Sequence, residues 1–113
     1  MTMMIERTSV EVCDYDAVLP ERGVRALVGS RHVAVFRTWD GDVHAVDAVD
    51  PFSGASVLSR GIVGTVGGAP IVASPMYKQR FDLTTGVCLD DPSVSVRVYG
   101  AAVVEGRIVI DGA

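Results

Sequence analysis

Short runs of β-forming residues, separated by two-residue turn signals, constrain the fold of this 113-residue chain more than any other feature. The run His32–Arg37 follows Gly29-Ser30, and Val43–Asp47 follows Asp40-Gly41. Turn pairs of this kind between β-forming runs predict tight antiparallel hairpins. The same arrangement returns near the C-terminus on either side of Glu105-Gly106. The chain is therefore expected to fold largely by pairing strands that are neighbours in sequence.

The remaining β-forming runs are equally short. They are Ser9–Val12, Val24–Val28, the alternating stretch Val94–Tyr99, and the two halves of the terminal hairpin, Ala101–Val104 and Ile108–Ile110. A single helical turn is predicted at Tyr15–Leu19, where Asp14 is a candidate N-terminal cap. About eight or nine short strands without a long amphipathic helix predict an all-β domain, an antiparallel sandwich or partly open barrel.

The stretch between about Ala48 and Arg80 breaks this pattern because glycine and proline crowd it. We predict that it is mostly loop, with one short strand at Ile71–Ala73. Long connections without secondary structure are uncommon in compact domains unless they are functional or packed on themselves. This stretch is therefore where a site is expected.

The charge and hydropathy of the chain exclude several kinds of partner. The net charge is −4, the pI is about 4.9 and the ten Lys and Arg residues are dispersed, so no basic face for nucleic acid is expected. No apolar stretch approaches the roughly 20 residues that span a membrane, and Met1–Arg7 lacks the features of a secretory signal. These features predict a cytoplasmic protein with one domain over residues 1–113, in which Cys13 and Cys88 stay reduced.

Residue patterns typical of a catalytic site are missing from the sequence. It contains no recognisable nucleophile motif paired with histidine, no phosphate-binding glycine loop and no metal-ligand spacing. The carboxylate pairs Asp40/Asp42 and Asp90-Asp91 lie beside turn residues, so turn formation explains them. We therefore predict a chain without catalytic residues of its own.

Two segments of the loop-rich stretch resemble the cluster-binding loops of Rieske proteins. The segment 50–55, Asp-Pro-Phe-Ser-Gly-Ala, precedes Leu58-Ser59-Arg60-Gly61, where the Rieske pattern is Cys-Pro-His-x-Gly-Ala and then Leu-Ser-x-Gly. The segment 74–83, Ser-Pro-Met-Tyr-Lys-Gln-Arg-Phe-Asp-Leu, ends in Thr84-Thr85-Gly86, where the pattern is Cys-Pro-x-His-Gly-x-x-Phe-Asp-Leu and a closing Gly. The resemblance implies a Rieske-like fold with a loop-rich pseudo-cluster subdomain at about residues 48–86.

The four positions that hold iron in Rieske proteins carry other residues in this chain. A Rieske [2Fe–2S] cluster needs two cysteine thiolates and two histidine imidazoles. The corresponding residues here are Asp50, Phe52, Ser74 and Tyr77. We therefore expect no cofactor in this chain, with Phe52 and Met76 filling the apolar gap and the polar side chains bonded across the loop ends.

Within the Rieske group the chain resembles the small subunits of cytoplasmic NAD(P)H-dependent nitrite reductases. The motifs that carry this resemblance are Asp50–Ala55, Leu58–Gly64, Ala73–Gln79 and Cys88–Asp90. The resemblance implies a large-subunit partner that holds FAD, a [4Fe–4S] cluster and sirohaem and reduces nitrite to ammonia with electrons from NAD(P)H. Arg60, Lys78, Gln79 and Arg80 are candidate contacts with that partner, or else a solvated rim.

Two other functions stay open at this point. The chain could be a self-standing Rieske-type ferredoxin that passes electrons to an oxygenase or similar acceptor, or a free-standing binding module of Rieske fold. Iron content distinguishes the ferredoxin from the accessory subunit. Co-purification with a large subunit distinguishes the accessory subunit from the free-standing module.

Overall fold

A computed structural model describes residues 9–76 and 78–111, which form nine strands and two single-turn 3₁₀ helices. The strands are β1 (Val10–Asp14), β2 (Arg22–Val28), β3 (Arg31–Arg37), β4 (Val43–Asp47), β5 (Ile62–Val66), β6 (Ala69–Ala73), β7 (Arg80–Asp82), β8 (Val98–Val104) and β9 (Arg107–Asp111). The 3₁₀ helices are η1 (Tyr15–Ala17) and η2 (Leu58–Arg60). The expected all-β fold is confirmed, and no helix among the described residues is long and apolar enough to cross a membrane.

The strands form two antiparallel sheets. The larger sheet has six strands in the order β1-β9-β8-β4-β3-β2, and its two edge strands approach each other, so that it nearly closes into a barrel. The smaller sheet has three strands in the order β5-β6-β7. The barrel therefore comes from the two ends of the chain, and the small sheet comes from its glycine-rich middle.

Hairpins form at all three predicted turn pairs, but the one at Asp40-Gly41 is not tight, because Arg37 pairs with Val43 across residues 38–42. The other two are tight. Val28 pairs with Arg31 across Gly29-Ser30, and Val104 pairs with Arg107 across Glu105-Gly106. Gly29 has a φ of +64°, a left-handed conformation that glycine adopts without steric cost. Local turn chemistry thus determines the strand register at both ends of the chain.

Strand β3 is buried on both faces and separates two hydrophobic clusters. Val33 and Val35 face the barrel interior, together with residues such as Ile108. Ala34 and Phe36 face the opposite way, into a cluster shared with the small sheet. Because side chains alternate across a strand, the unbroken apolar run in β3 joins the barrel to the small sheet.

The prediction that the stretch 48–80 is mostly loop is confirmed, but the prediction of a single strand there is wrong. Two strands, β5 and β6, form a tight hairpin in which Val66 pairs with Ala69 across Gly67-Gly68. The two glycines have φ values of +58° and +86°, as a two-residue hairpin turn requires. They therefore mark a hairpin rather than a loop, and only the predicted strand at Ile71–Ala73 is recovered, as part of β6.

The predicted strand over Val94–Tyr99 begins later than expected. Strand β8 starts at Val98, and the backbone before it bonds to loops instead, with Val96 N–H donating to the Gly86 carbonyl at 2.8 Å. Val94 and Val96 still pack against the hydrophobic core. The alternation of apolar and polar residues here therefore reflects which side chains are buried, and not a continuous hydrogen-bonded strand.

The helical turn after β1 is present, but its predicted cap is wrong. The Asp14 side chain makes no capping hydrogen bond to η1. Its Oδ1 instead lies 2.8 Å from Nε of Arg107 on the paired strand β9. Both cysteines are free, Cys13 half-buried and Cys88 buried, as expected.

Candidate functional site: two matching loops

The two segments that resemble cluster-binding loops lie against each other. The first loop, residues 50–55, follows β4, and the second loop, residues 74–79, connects β6 to β7. Gly61, just after η2, approaches β6 so closely that an added Cβ would lie 2.5 Å from the Ala73 carbonyl oxygen. Since its φ of −72° suits any residue, glycine is needed here for close packing alone. This contact holds the segment after the first loop against the strand that enters the second.

The first loop is closed by its first residue. Asp50 N–H donates to the Ala55 carbonyl at 2.8 Å, and Gly54 N–H donates back to the Asp50 carbonyl at 2.7 Å. The carboxylate also accepts the N–H of Phe52, with 2.8 Å between Oδ1 and the nitrogen. Asp50 thus organises the loop through both its backbone and its side chain.

The second loop repeats the same bonds at equivalent positions. Ser74 N–H donates to the Gln79 carbonyl at 2.8 Å, and Lys78 N–H donates to the Ser74 carbonyl at 2.9 Å. Ser74 Oγ accepts the N–H of Met76 at 3.2 Å. The two loops are therefore closed in the same way, each by the residue at a thiolate position of the Rieske pattern.

A hydrogen bond between side chains joins the two loops. The Ser74 hydroxyl donates to Oδ2 of Asp50 at 2.5 Å, and Asp50 and Ser74 are 0% and 1% exposed. Burial of a carboxylate is costly unless its oxygens are hydrogen-bonded. Both oxygens have a donor here, since Oδ1 accepts from Phe52 and Oδ2 from Ser74. The expected exchange of hydrogen bonds between Asp50 and Ser74 is confirmed.

The fifth residue of each loop has a left-handed backbone. Gly54 has a φ of +75° and Lys78 a φ of +63°. Glycine adopts this conformation freely, whereas another residue is strained in it by about 1 kcal/mol or more. The Rieske pattern has glycine at both positions. Lys78 therefore adopts the backbone conformation of that glycine although a lysine is strained in it.

The apolar residues of the loops differ in burial. Phe52 is partly buried and packs against the core, with its ring centroid 6.2 Å from that of Phe81. Met76 is 48% exposed, so the prediction that it fills an apolar gap is wrong. Tyr77 lies outside the described residues.

The four candidate contact residues have different environments. Arg60 and Lys78 are exposed. Gln79 is partly buried, and its Oε1 has no hydrogen-bond partner among the described residues. Arg80 is committed to Asp90, since its side chain and its backbone N–H both donate to that carboxylate, at 2.8 Å for the closest contacts. Arg60 and Lys78 are therefore the cations most available to a partner.

The ion pair between Arg80 and Asp90 predicts a pH dependence at the end of the second loop. Hydrogen bonds from the Arg80 side chain hold the pKa of Asp90 below its usual value. A carboxylate with a lowered pKa stabilises the fold fully above its unfolded-state pKa of about 3.9, and this contribution is lost as pH falls through the folded-state pKa. We expect Asp90→Asn to lower the melting temperature at pH 6, with the difference from wild type shrinking below about pH 4. A pH-independent difference in thermal denaturation would contradict this assignment.

Sequence reasoning missed the exposed edge of the small sheet. Ile62 is 76% exposed on β5, and Trp39 is 73% exposed beside a cavity of about 410 Å³ that β5 also lines. The Gly67-Gly68 pair was the signal for this edge, because a two-residue turn implies strands on both sides. Nothing in the sequence around Trp39 predicts its exposure.

The described side chains do not fit a Rieske [2Fe–2S] cluster. Asp50 and Ser74 occupy the thiolate positions and are bonded to each other, while Phe52 has no donor atom. Such a cluster requires thiolate and imidazole ligands. Among the described residues there is also no group of three or more His, Cys, Asp or Glu side chains that could hold a metal ion.

Comparison with known proteins identifies the same Rieske-like fold. Residues 8–111 match the family model of the Rieske-like [2Fe-2S] domain. The ferredoxin of carbazole 1,9a-dioxygenase from Nocardioides aromaticivorans IC177 has a similar structure, with a TM-score of 0.81 and 26% identity over 94% of this chain and 99% of that one. The Rieske-like scaffold is thus shared with an electron-transfer protein.

Nitrite reductase subunits are more similar in sequence. The nitrite reductase (NADH) small subunit of Escherichia coli K12 is 45% identical over 103 residues, covering 90% of this chain and 95% of that protein. A crystal structure from Mycobacterium tuberculosis, assigned as an NADH-dependent nitrite reductase small subunit, has a TM-score of 0.92 and 52% identity over 96% of this chain and 98% of that one. The nitrite reductase [NAD(P)H] large subunit of Klebsiella oxytoca is 43% identical over 97 residues, which cover 86% of this chain and 10% of that protein. The chain therefore belongs to the Rieske-like domain family and, within it, to the small subunits of NAD(P)H-dependent nitrite reductase.

Proposed function

We propose that this chain is a non-catalytic accessory subunit that binds the large subunit of a cytoplasmic, assimilatory nitrite reductase and itself holds no iron–sulfur cluster. Its two matching loops, residues 50–55 and 74–79, form the docking surface. Nitrite is reduced to ammonia in the large subunit, to which the family resemblance assigns FAD, a [4Fe–4S] cluster and sirohaem. The small subunit contributes a rigid surface to that enzyme.

The observation that carries this proposal is the hydrogen bond between Asp50 and Ser74. A Rieske protein links its two loops through iron, whereas here a buried carboxylate and a hydroxyl link them at 2.5 Å. The loop geometry is thereby kept without the redox centre. A surface that keeps its shape without the cofactor is suited to binding a partner protein rather than to transferring electrons.

A relative of different architecture supports the choice of partner. In Klebsiella oxytoca the matching segment belongs to a protein called a nitrite reductase large subunit, of which it forms about a tenth. A domain carried on the same polypeptide works at a high effective concentration of the rest of the enzyme. We infer that the separate chain works at the same place by binding non-covalently.

The proposal is tested with the purified large subunit, loaded with its cofactors, and this chain added back. We expect a complex in analytical ultracentrifugation and a rise in nitrite-dependent NAD(P)H oxidation that saturates with complex formation. The same rate with and without the small subunit, together with two separate sedimenting species, would rule out the accessory role.

Lys78 provides a variant whose effects on stability and on binding have opposite signs. Lys78→Gly relieves the left-handed strain, so we expect the isolated chain to gain about 0.5–1 kcal/mol in free energy of unfolding. If Lys78 contacts the large subunit, the same variant loses a cation at the docking surface and its affinity falls. Urea denaturation and a binding titration measure the two effects. Unchanged affinity in a stabilised variant would remove Lys78 from the interface.

A ferredoxin function is the alternative that the similarity to the Nocardioides protein raises. It requires bound iron, for which the described loops lack thiolate and imidazole ligands. A chain that carries iron and sulfide and reduces an oxygenase would favour that function over the accessory role.

A further inference from the structure

The free edge of the small sheet is strand β5. Within the described part of the chain, β5 is hydrogen-bonded only to β6, whereas β7 at the opposite edge is covered. Asp82 N–H donates to the Val87 carbonyl, and Leu89 N–H donates to the Arg80 carbonyl. The small sheet thus has one edge closed by its own chain. At the other edge β5 forms no strand pair with another described segment, although its first residues lie near the start of β2.

The register of the β5–β6 hairpin shows which backbone groups point outward. Val66 and Ala69 close a two-residue turn, so they form a hydrogen-bonded pair, and alternation makes Thr65 and its partner Pro70 a non-hydrogen-bonded pair. Pro70 has no N–H to give, which agrees with this assignment. Two residues earlier along β5 the same argument applies to Val63, which is paired with Val72. The N–H and C=O groups of Val63 and Thr65 therefore face the open edge.

This edge lacks the features that keep edge strands from pairing with other chains. Exposed edges are usually protected by charged side chains, proline or a bulge. All five residues of Ile62–Val66 are uncharged, none is proline and the β5–β6 register is continuous. An uncharged open edge is the kind of surface to which an extended peptide adds a strand.

A groove with charges of opposite sign at its two ends runs beside β5. It consists of two adjoining cavities of about 410 Å³ and 420 Å³ that share Glu21 and Val63. The first cavity also reaches Pro70 on β6 and Thr84, so it extends from β5 over one face of the small sheet. Trp39 lines the first cavity, as do the acidic residues Asp40 and Asp42.

The second cavity has the opposite charge. Besides the shared Glu21 it is lined by two basic residues, Arg22 and Arg60, at the end of β5 where Ile62 pairs with Ala73. Ala73 is followed directly by Ser74, so this end of the groove adjoins the second loop. The groove thus ends near the second of the proposed docking loops.

We propose that this groove binds an extended segment of the large subunit, which adds to β5 as a fourth strand of the small sheet. This inference rests on the proposed function and identifies where the partner binds. The segment is uncharged where it pairs with Val63 and Thr65. It carries a basic residue beside Trp39, Asp40 and Asp42, where an aromatic face and carboxylates both attract a cation. It carries an acidic residue at the end where Arg60 lies.

The test removes one outward backbone donor without touching the ladder to β6. Thr65→Pro deletes an N–H that bonds to no described residue, on an edge strand where proline is tolerated, so the fold is expected to persist. We expect this variant to bind the cofactor-loaded large subunit at least about tenfold more weakly, since a main-chain bond and close approach are lost. Thr65→Ala keeps the N–H and is the matched control, with affinity within about twofold of wild type.

A second variant covers the case in which proline disturbs the hairpin. Ile62→Lys places a charge on a side chain that is 76% exposed, so it leaves the core intact and protects the edge as natural edge strands are protected. It is expected to weaken binding by about tenfold as well. Circular dichroism and thermal denaturation of each isolated variant verify the fold.

Trp39 reports directly on the groove because it is the only tryptophan in the chain. With 5-fluorotryptophan in the small subunit, the single fluorine resonance is expected to shift when unlabelled large subunit is added.

If wild type forms the complex but both variants bind normally and the resonance does not move, the groove is not the site, while the accessory function stands. If wild type forms no complex, both proposals fail. If the small subunit alone forms dimers that Thr65→Pro separates, a second copy covers the edge and the inference is overturned.

Discussion

Asp50→Ala is expected to lower the free energy of unfolding by about 3 kcal/mol, which corresponds to a melting temperature roughly 10–15 °C below wild type. The substitution removes the fully buried acceptor of two donors, the buried Ser74 hydroxyl and the partly buried Phe52 N–H. Each donor left without a partner in the interior costs far more than an exposed hydrogen bond contributes. The two loops also lose the side-chain bond that joins them.

Asp82→Ala is the matched control for this prediction. Asp82 accepts the N–H groups of Thr84 at 2.7 Å and of Thr85 at 3.0 Å, so like Asp50 it serves two donors, but both of its bonds are exposed. The Asp82 side chain is only partly buried and does not join two loops. Asp82→Ala should therefore lower the free energy of unfolding by about 1 kcal/mol. Urea denaturation of Asp50→Ala, Ser74→Ala and the double variant should give a coupling energy of about 1–2 kcal/mol. Equal costs for the two aspartates, with no coupling to Ser74, would show that Asp50 acts only within its own loop.

Gly86→Ala is expected to be at least as damaging, with a loss of about 4 kcal/mol or failure to accumulate as folded protein. Gly86 has a φ of +81°, and a Cβ built on it would lie 2.2 Å from the Val96 carbonyl oxygen. Backbone atoms cannot move aside as a flexible side chain can. The clash would also disrupt the bond from Val96 N–H to the Gly86 carbonyl.

Gly67→Ala separates backbone strain from the clash. Gly67 also has a positive φ, +58°, but an added Cβ would meet nothing within 4 Å. Strain alone should cost about 1 kcal/mol there. Thermal denaturation of the two variants side by side should show a much larger loss for Gly86→Ala, and a similar loss in both would contradict the close approach to Val96.

The hairpins at the two ends of the chain are predictable from sequence because their turns are local. Gly29-Ser30 and Glu105-Gly106 determine the pairing of the strands beside them whatever the rest of the fold does. The strand at Val94 is not predictable in the same way. Its alternation reflects packing of Val94 and Val96 on the core, and the bonds of its backbone depend on a loop that comes from elsewhere in the chain.

The candidate site was predictable in identity and in one of its interactions. The Rieske-like loop pattern locates Asp50 and Ser74 at matching positions of the two loops, so a hydrogen bond between them could be expected although they are 24 positions apart. The exposure of Met76 and the ion pair between Arg80 and Asp90 were not predictable, because they depend on the path of the chain around the second loop. Such tertiary contacts leave no periodic signal in a single sequence.

The two loops are closed by matching backbone bonds, and a hydrogen bond between Asp50 and Ser74 links them at the positions where the Rieske pattern has thiolates. The bonding is the same in both loops, from Asp50 in one and from Ser74 in the other. A surface preserved in this way can bind a partner without taking part in electron transfer. The open edge of β5 extends that surface beyond the loops.

In the proposed accessory subunit the Asp50–Ser74 bond takes the place of the Rieske cluster. Iron and acid-labile sulfide, measured in the small subunit after purification without oxygen from cells supplied with iron, test this directly. We predict background levels of both and no visible absorption. About two iron and two sulfide per folded chain, the content of a [2Fe–2S] centre, would contradict the account.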